Sequence, residues 1–382
     1  MNDTSTRADL IVIGLGAMGS ATADAAARRG LRVIGLEAFE QGHRRGSSHG
    51  ATRIIRRSIE EGPQYVPLVL DALARWRQLD EESDQPILHL GGAIRVAPAG
   101  SALHAAFLRS AVAHHLDFER LQPGDVHERF PALVVPDGFE ALFEQDAGVV
   151  FADRAVRALQ TRAVRHGASL QFDEPVSQWR ADGDGVVVDT PQATYRGDRL
   201  VITAGAWTTQ LLASLALPLV VQRVVNVTFQ PTVPQRFDHE HLPAFLLSDG
   251  TSGVYGVPAI GGEGVKVGGS GSPTSPDETQ PPASDDEVTA LRSVVDRFLP
   301  GAASSDRSTL TCLYTTAPDG HFVIDHHPDH PQVVVASPCS GHGFKYTTAI
   351  GPVLVDLAVS GSASLPIDSF GISRFITSGA VK

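Results

Sequence analysis

The chain has 382 residues, of which 42% are hydrophobic and 19% charged. That is too long for one small domain and ordinary for an enzyme of two intertwined domains. Asp and Glu number 43 against 31 Lys and Arg, a formal charge of −12, which argues against a general nucleic-acid or anionic-membrane binder.

The opening run Met1-Asn2-Asp3-Thr4-Ser5-Thr6-Arg7-Ala8-Asp9 lacks the apolar core of a secretory signal. The greasiest stretch, 211–221, holds Ser214 and Pro218 and is too short to span a bilayer. A soluble cytoplasmic enzyme is expected. Two cysteines, Cys312 and Cys339, form neither a disulfide framework nor a metal-ligand spacing, so no metal is expected. Only three of the 31 basic residues are lysine: Lys266 and Lys345 in glycine-rich segments, and the terminal Lys382. A lysine kept under such a bias toward arginine points to a need for a compact, tunable ammonium.

Residues 8–13 form a short apolar, β-branched run that suits a buried parallel strand. Gly14-Leu15-Gly16-Ala17-Met18-Gly19 follows, then an Ala-rich helical segment, 20–29, stopped by Gly30. A second buried strand, 31–36, ends in Glu37. This is a βαβ unit with a dinucleotide fingerprint. Gly14 permits the tight turn, Gly16 lets backbone approach a pyrophosphate, and Gly19 allows close helix packing. Glu37 is placed to accept hydrogen bonds from ribose hydroxyls and would repel a 2′-phosphate.

Residues 43–57 carry His43, Arg44, Arg45, His49, Arg53, Arg56 and Arg57 without an acid. This reads as a basic pocket, with Ser47, Ser48 and Thr52 as hydroxyl donors. The spacing of Leu68, Leu70, Leu73, Trp76 and Leu79 predicts an amphipathic helix over 65–79. Further strands are expected at 93–96, 169–172, 185–189, 199–203, 253–257, 265–267 and 332–336. Helices are expected at 103–114, 287–298 and 346–359, with a solvated loop at 275–286. Nucleotide-binding elements thus recur at the beginning, middle and end, with strand-rich insertions between them. Two discontinuous domains sharing a cleft are the natural architecture.

Five further segments occur in order: Gly46-Ser47-Ser48-His49-Gly50-Ala51-Thr52-Arg53-Ile54-Ile55-Arg56, Ala204-Gly205-Ala206-Trp207, Gly264-Val265-Lys266-Val267-Gly268, Cys312-Leu313-Tyr314-Thr315, and Ser340-Gly341-His342-Gly343-Phe344-Lys345. Together they resemble the monomeric sarcosine oxidase family of FAD-dependent amine oxidases, whose relatives act on N-methyltryptophan and fructosyl amino acids. The resemblance implies an α/β, mixed α+β, D-amino-acid-oxidase-like fold. A Rossmann-like FAD-binding domain (1–86, 149–215 and 312–382) would interleave with a strand-rich substrate domain (87–148 and 216–311). It also implies FAD, contacted by Gly14, Gly16, Ala17, Met18, Gly19, Glu37, Ser48, His49, Thr52, Arg53, Val176, Gly205, Trp207, Gly341, Gly343 and Lys345, and bonded covalently to Cys312. By composition alone Cys312 is a buried apolar thiol, and Cys339 is left as a packing residue.

By the same resemblance Lys345 and Arg56 hold a substrate carboxylate, which would aim the C–H bond beside the nitrogen at the flavin. Tyr255 and Tyr314 close the pocket beside the amine. Lys266 promotes reaction with oxygen as a fixed positive charge. Arg53 and His49 favour amine oxidation from the flavin side. Two positions depart from the family: Ser270 stands where a pocket histidine is usual, and Leu246 where a methionine is. Both suggest a wall that accommodates something larger than sarcosine. The expected protein is a monomeric FAD-dependent oxidase of N-methyl or other N-substituted α-amino acids, using oxygen and releasing peroxide. A fructosyl-amino-acid oxidase, a flavin dehydrogenase with another electron acceptor, and a flavin-containing binding protein are the alternatives.

Overall fold

The protein is described here from a computed structural model covering residues 6–304 and 306–376. Residues 1–5 of the opening run, and Lys382, lie outside the described residues. The chain begins with β1 (Arg7–Ile13), α1 (Ala17–Arg28) and β2 (Val33–Leu36). The first helix starts three residues earlier than its alanine content suggests, because the last residues of the glycine fingerprint already form its first turn.

β1 pairs in parallel with β2 and with Thr194–Ile202, and that strand pairs in parallel with His330–Ser337. Ser169–Gln171 adds in parallel beyond β2. The apolar runs are buried on both faces, as covered parallel strands require. α1 lies against the closing helix Thr347–Ser360. A Cβ on Gly351 of that helix would sit 2.4 Å from the Ala21 carbonyl oxygen, so glycine sets how closely the two helices approach.

A second sheet has eight strands in the order Arg307–Thr316, Val220–Phe229, Val265–Pro273, Gly253–Val257, Ala244–Ser248, Ala93–Pro98, Phe139–Glu144 and Glu119–Leu121. β3 (Thr52–Ile55), Gly148–Phe151 and Leu88–His89 form a small third sheet. Two of the expected domain boundaries cut through strands. The one at 312 falls inside Arg307–Thr316, which pairs along its whole length with Val220–Phe229. The one at 149 falls inside Gly148–Phe151. A strand's partner comes from distant sequence, so its sheet cannot be read from its own residues.

The helix expected at 65–79 is α2 (Val66–Glu81), with one correction to its face. Leu70 is 39% exposed, while Val69 and Ala72 are buried beside Leu68, Leu73, Trp76 and Leu79. At about 100° per residue Leu70 stands roughly 200° from Leu68, on the solvent side.

Candidate active site

A cavity of ≈ 990 Å³ opens between the carboxyl ends of β1 and β2 and one face of the second sheet. At one end lies the glycine turn. Gly14 has φ +88°, and its N–H donates to the Leu36 carbonyl at 2.8 Å. A Cβ on Gly19 would lie 1.7 Å from the Gly14 carbonyl oxygen, so Gly19 backs the turn without itself lining the cavity. Ala17 N–H donates to Ser48 Oγ at 2.9 Å, which ties the basic segment to the start of α1. The Glu37 carboxylate accepts from Leu15 N–H at 2.8 Å and stands 3.5 Å from His43 Nε2. Gly16, Met18, Val176, Gly205 and Trp207 complete this end.

The other end gathers Arg53, Arg56, Leu246, Tyr255, Lys266, Cys312, Tyr314 and Lys345. Arg53 is held by three backbone carbonyls, those of Ser47, His49 and Thr52, each at 2.8 Å. Lys266 Nζ donates to Thr52 O at 2.9 Å. Burial, reinforced by Arg53, pushes its ammonium down to about 7. His49 is buried with neither ring nitrogen partnered among the described residues. Burial and then Arg53 lower it to about 4, so it is neutral at pH 7. The Tyr255 and Tyr314 hydroxyls are 2.9 Å apart. Burial is the main cause that raises both phenols, Tyr255 to about 12. Cys312 Sγ accepts from Asn226 Nδ2 at 3.6 Å, and burial pushes its thiol up.

Lys345 Nζ donates to the His342 carbonyl at 2.8 Å. Burial outweighs the pull of Glu61 and lowers it to about 7. Arg56 donates to Ser58 O at 2.7 Å, to Glu60 at 3.1 Å and to both oxygens of Glu61 at 3.3 Å. Burial opposes its charge, but the two carboxylates more than compensate and hold it above its ordinary value. Burial likewise opposes the Glu61 charge, yet Arg56 and Lys345 keep that carboxyl well below the usual range.

Two expectations need correction. Ser270 is exposed and outside the cavity lining, so it does not widen the pocket. The register shifts between Val224 and Asn226, opposite residues 268–271, and the strand is exposed at Ser270, Ser272 and Pro273. Only Leu246 of the two departures therefore bears on pocket size. Cys339, taken as a packing residue, is half-buried in the cavity wall, and its Sγ accepts from Thr315 N–H at 3.4 Å. Sequence reasoning also missed Glu60, Glu61 and Asn226. An acidic pair directly after a long basic run was the available signal for the first two.

Known proteins match this arrangement. The family described as FAD dependent oxidoreductase matches residues 9–357. Monomeric sarcosine oxidase of Streptomyces avermitilis is 39% identical over 379 residues, covering 97% of this chain and 99% of that protein. N-methyl-L-tryptophan oxidase of Salmonella agona is 34% identical over 378 residues, covering 96% and 99%. The solved structure of NikD, an unusual amino acid oxidase essential for nikkomycin biosynthesis, has a TM-score of 0.82 at 25% identity, covering 96% of this chain and 97% of that one.

Fold and site together define a flavin-dependent oxidoreductase with a mixed α/β, D-amino-acid-oxidase-like architecture. The chain belongs to the FAD dependent oxidoreductase family, as a homologue of monomeric sarcosine oxidase and N-methyltryptophan oxidase. The residues present fit FAD. The glycine turn packs its backbone more closely than a Cβ would allow at the cavity edge, an acid closes β2, and the unpartnered His49 ring lines the same cavity. Among the described residues no helix is long and apolar enough to cross a membrane.

Proposed function

We propose that the protein is a monomeric oxidase of secondary amines, taking N-methyl or other N-substituted α-amino acids and releasing hydrogen peroxide. The observation that carries this reading is the meeting of Arg56 and Lys345 in a cavity that Lys266 and Cys312 also line. FAD, when bound, supplies the redox chemistry, accepting a hydride equivalent from the carbon beside nitrogen and passing two electrons to oxygen. The product imine hydrolyses to an amine and an aldehyde.

The protein's own residues bind and orient. Arg56 and Lys345 hold the substrate carboxylate through charge-assisted hydrogen bonds, which aims the reacting C–H bond. The Tyr255–Tyr314 pair offers neutral phenols beside the amine. The amine must be uncharged to react, and the cations Arg53 and Lys266 favour that form. Protonated Lys266 gives oxygen a fixed positive charge as it takes its first electron. Cys312 is the covalent anchor of the flavin ring.

The test is anaerobic addition of sarcosine, larger N-methyl amino acids and fructosyl amino acids to the purified yellow protein. Flavin bleaching by an N-methyl amino acid, with peroxide formed on admitting air, supports the proposal. Bleaching by fructosyl amino acids alone moves the substrate to that class. Bleaching that air does not reverse, while an artificial acceptor does, makes the protein a dehydrogenase. Cys312→Ser is expected to release its flavin on acid denaturation while the parent retains it; release from both overturns the covalent link.

A further inference from the structure

Arg56 is the middle of a longer chain of charges. Its Nη2 lies 3.1 Å from one oxygen of Glu60, and the other Glu60 oxygen is ion-paired with Arg95 Nη2. Arg95 belongs to Ala93–Pro98, where the register sets it beside Leu246, which in turn stands beside Tyr255. Residues paired across a ladder share a face of the sheet. Arg95 therefore continues the row in which Leu246 and Tyr255 line the cavity, standing just behind the lining.

A buried guanidinium is costly unless an anion holds it. The Arg95 side chain is 5% exposed, and Glu60 is the acid ion-paired with it among the described residues. The same loop is tied to this sheet a second time. Ser58 N–H donates to the buried Glu144 carboxylate at 2.8 Å, and Glu144 stands opposite Ala93 on the neighbouring strand. The loop that carries the clamp arginine is thus fastened to the second sheet by two buried ionisable residues. The oxidation proposed above gives neither of them a task.

We propose that Arg95 is a positioning residue for recognition of the substrate carboxylate. It anchors Glu60 to the sheet, and Glu60 holds Arg56 in the cavity wall. This inference rests on the carboxylate clamp proposed above. Without Arg95, Glu60 is fastened to Arg56 alone and no longer fixes where the guanidinium stands, leaving that to Ser58 O and Glu61. The reacting groups themselves stay in place, so the loss falls on binding.

Acetate, a carboxylate without an amine, is the probe. It is titrated into flavin-loaded protein and followed by the flavin spectrum, beside KM and kcat for the best N-methyl amino acid. For Arg95→Met, the acetate Kd and the KM are expected to rise about tenfold, the loss of one charge-assisted contact, with kcat nearly unchanged. Arg95→Lys, which keeps a cation for Glu60, is expected to restore most of the affinity. An Arg95→Met protein with parental flavin content and an acetate Kd within about twofold of the parent, well short of that tenfold, overturns the inference. A fall in kcat and thermal stability at unchanged acetate affinity does so too, since it marks a merely structural role.

If Arg95→Met does not load flavin, the double variant Glu60→Gln/Arg95→Met removes both partners of the buried pair, a change that cores tolerate better than losing one. Weaker acetate binding then supports the proposal and parental binding overturns it. Arg56→Gln separates the two readings. If it leaves acetate binding unchanged, the clamp itself is wrong; if it weakens binding while Arg95→Met does not, only the role of Arg95 fails.

Discussion

At its nucleotide end the cavity is built around one short βαβ segment, whose turn at 14–18 and strand end at 36–39 line it, with Ser48 closing on the helix start and residues 174–177 and 203–207 completing the wall. At its amine end the side chains come from β3 and the residue after it, from five strands of the second sheet and from the turn before the closing helix. The first end is shaped by sterics of the backbone: a glycine at φ +88° and a Cβ position already taken by a carbonyl oxygen. The second is shaped by burial of charge, which brings two lysines down to about 7 and leaves His49 neutral. A local steric device tolerates almost no substitution. An electrostatic one degrades by degrees, according to which charge is removed.

The largest effect should come from Gly19→Val, which forces a side chain where the Gly14 carbonyl already stands. Purified protein is expected to carry almost no flavin, seen as visible absorbance per chain. Full flavin content would break the steric account of that end. At the amine end, Lys266→Met is expected to slow reoxidation by oxygen about 100-fold, the scale of losing one preorganised electrostatic group. Amine-dependent bleaching should survive, and stopped-flow mixing with oxygen measures both steps. Equal reoxidation rates would remove Lys266 from the oxygen reaction.

A smaller change is expected for Lys345→Met: a KM raised about ten- to a hundredfold, from one lost charge-assisted contact, with kcat altered less. Steady-state kinetics on an N-methyl amino acid would show it, and a fall in kcat at constant KM would contradict the clamp. The mildest test uses pH. Lys345 is charged below about 7 and neutral above it, so it attracts a carboxylate only on the acid side. Acetate affinity should therefore fall as pH rises through that value and level off, by no more in total than Lys345→Met costs. A flat profile would show that the lysine keeps its proton and that burial is offset more fully than the geometry indicates.

Much of the nucleotide end was legible in the residues themselves. The apolar run, the glycine turn, the alanine helix and the terminal Glu37 lie within one short segment, and each rule that reads them acts over a few residues. The two scarce lysines of the described residues, Lys266 and Lys345, both line the cavity. The amine end was legible only as separate segments held together by a resemblance. The acidic pair after the basic run was the one local signal for Glu60 and Glu61 against Arg56, and nothing in the local pattern brought Cys339 into the wall or turned Ser270 away from it.

The division has a physical cause. Periodicity, turn chemistry and the glycine fingerprint depend on neighbours along the chain, and so the sequence by itself determined the βαβ opening, most elements and the dinucleotide character of the protein. Strand partners, the side of a ladder on which a residue falls, and the proton affinity of a buried cation depend on atoms brought from far away. The tertiary structure alone decided that Arg307–Thr316 pairs with Val220–Phe229 in the second sheet, that burial brings two lysines down to about 7, and that Arg95 stands behind Glu60 and Arg56.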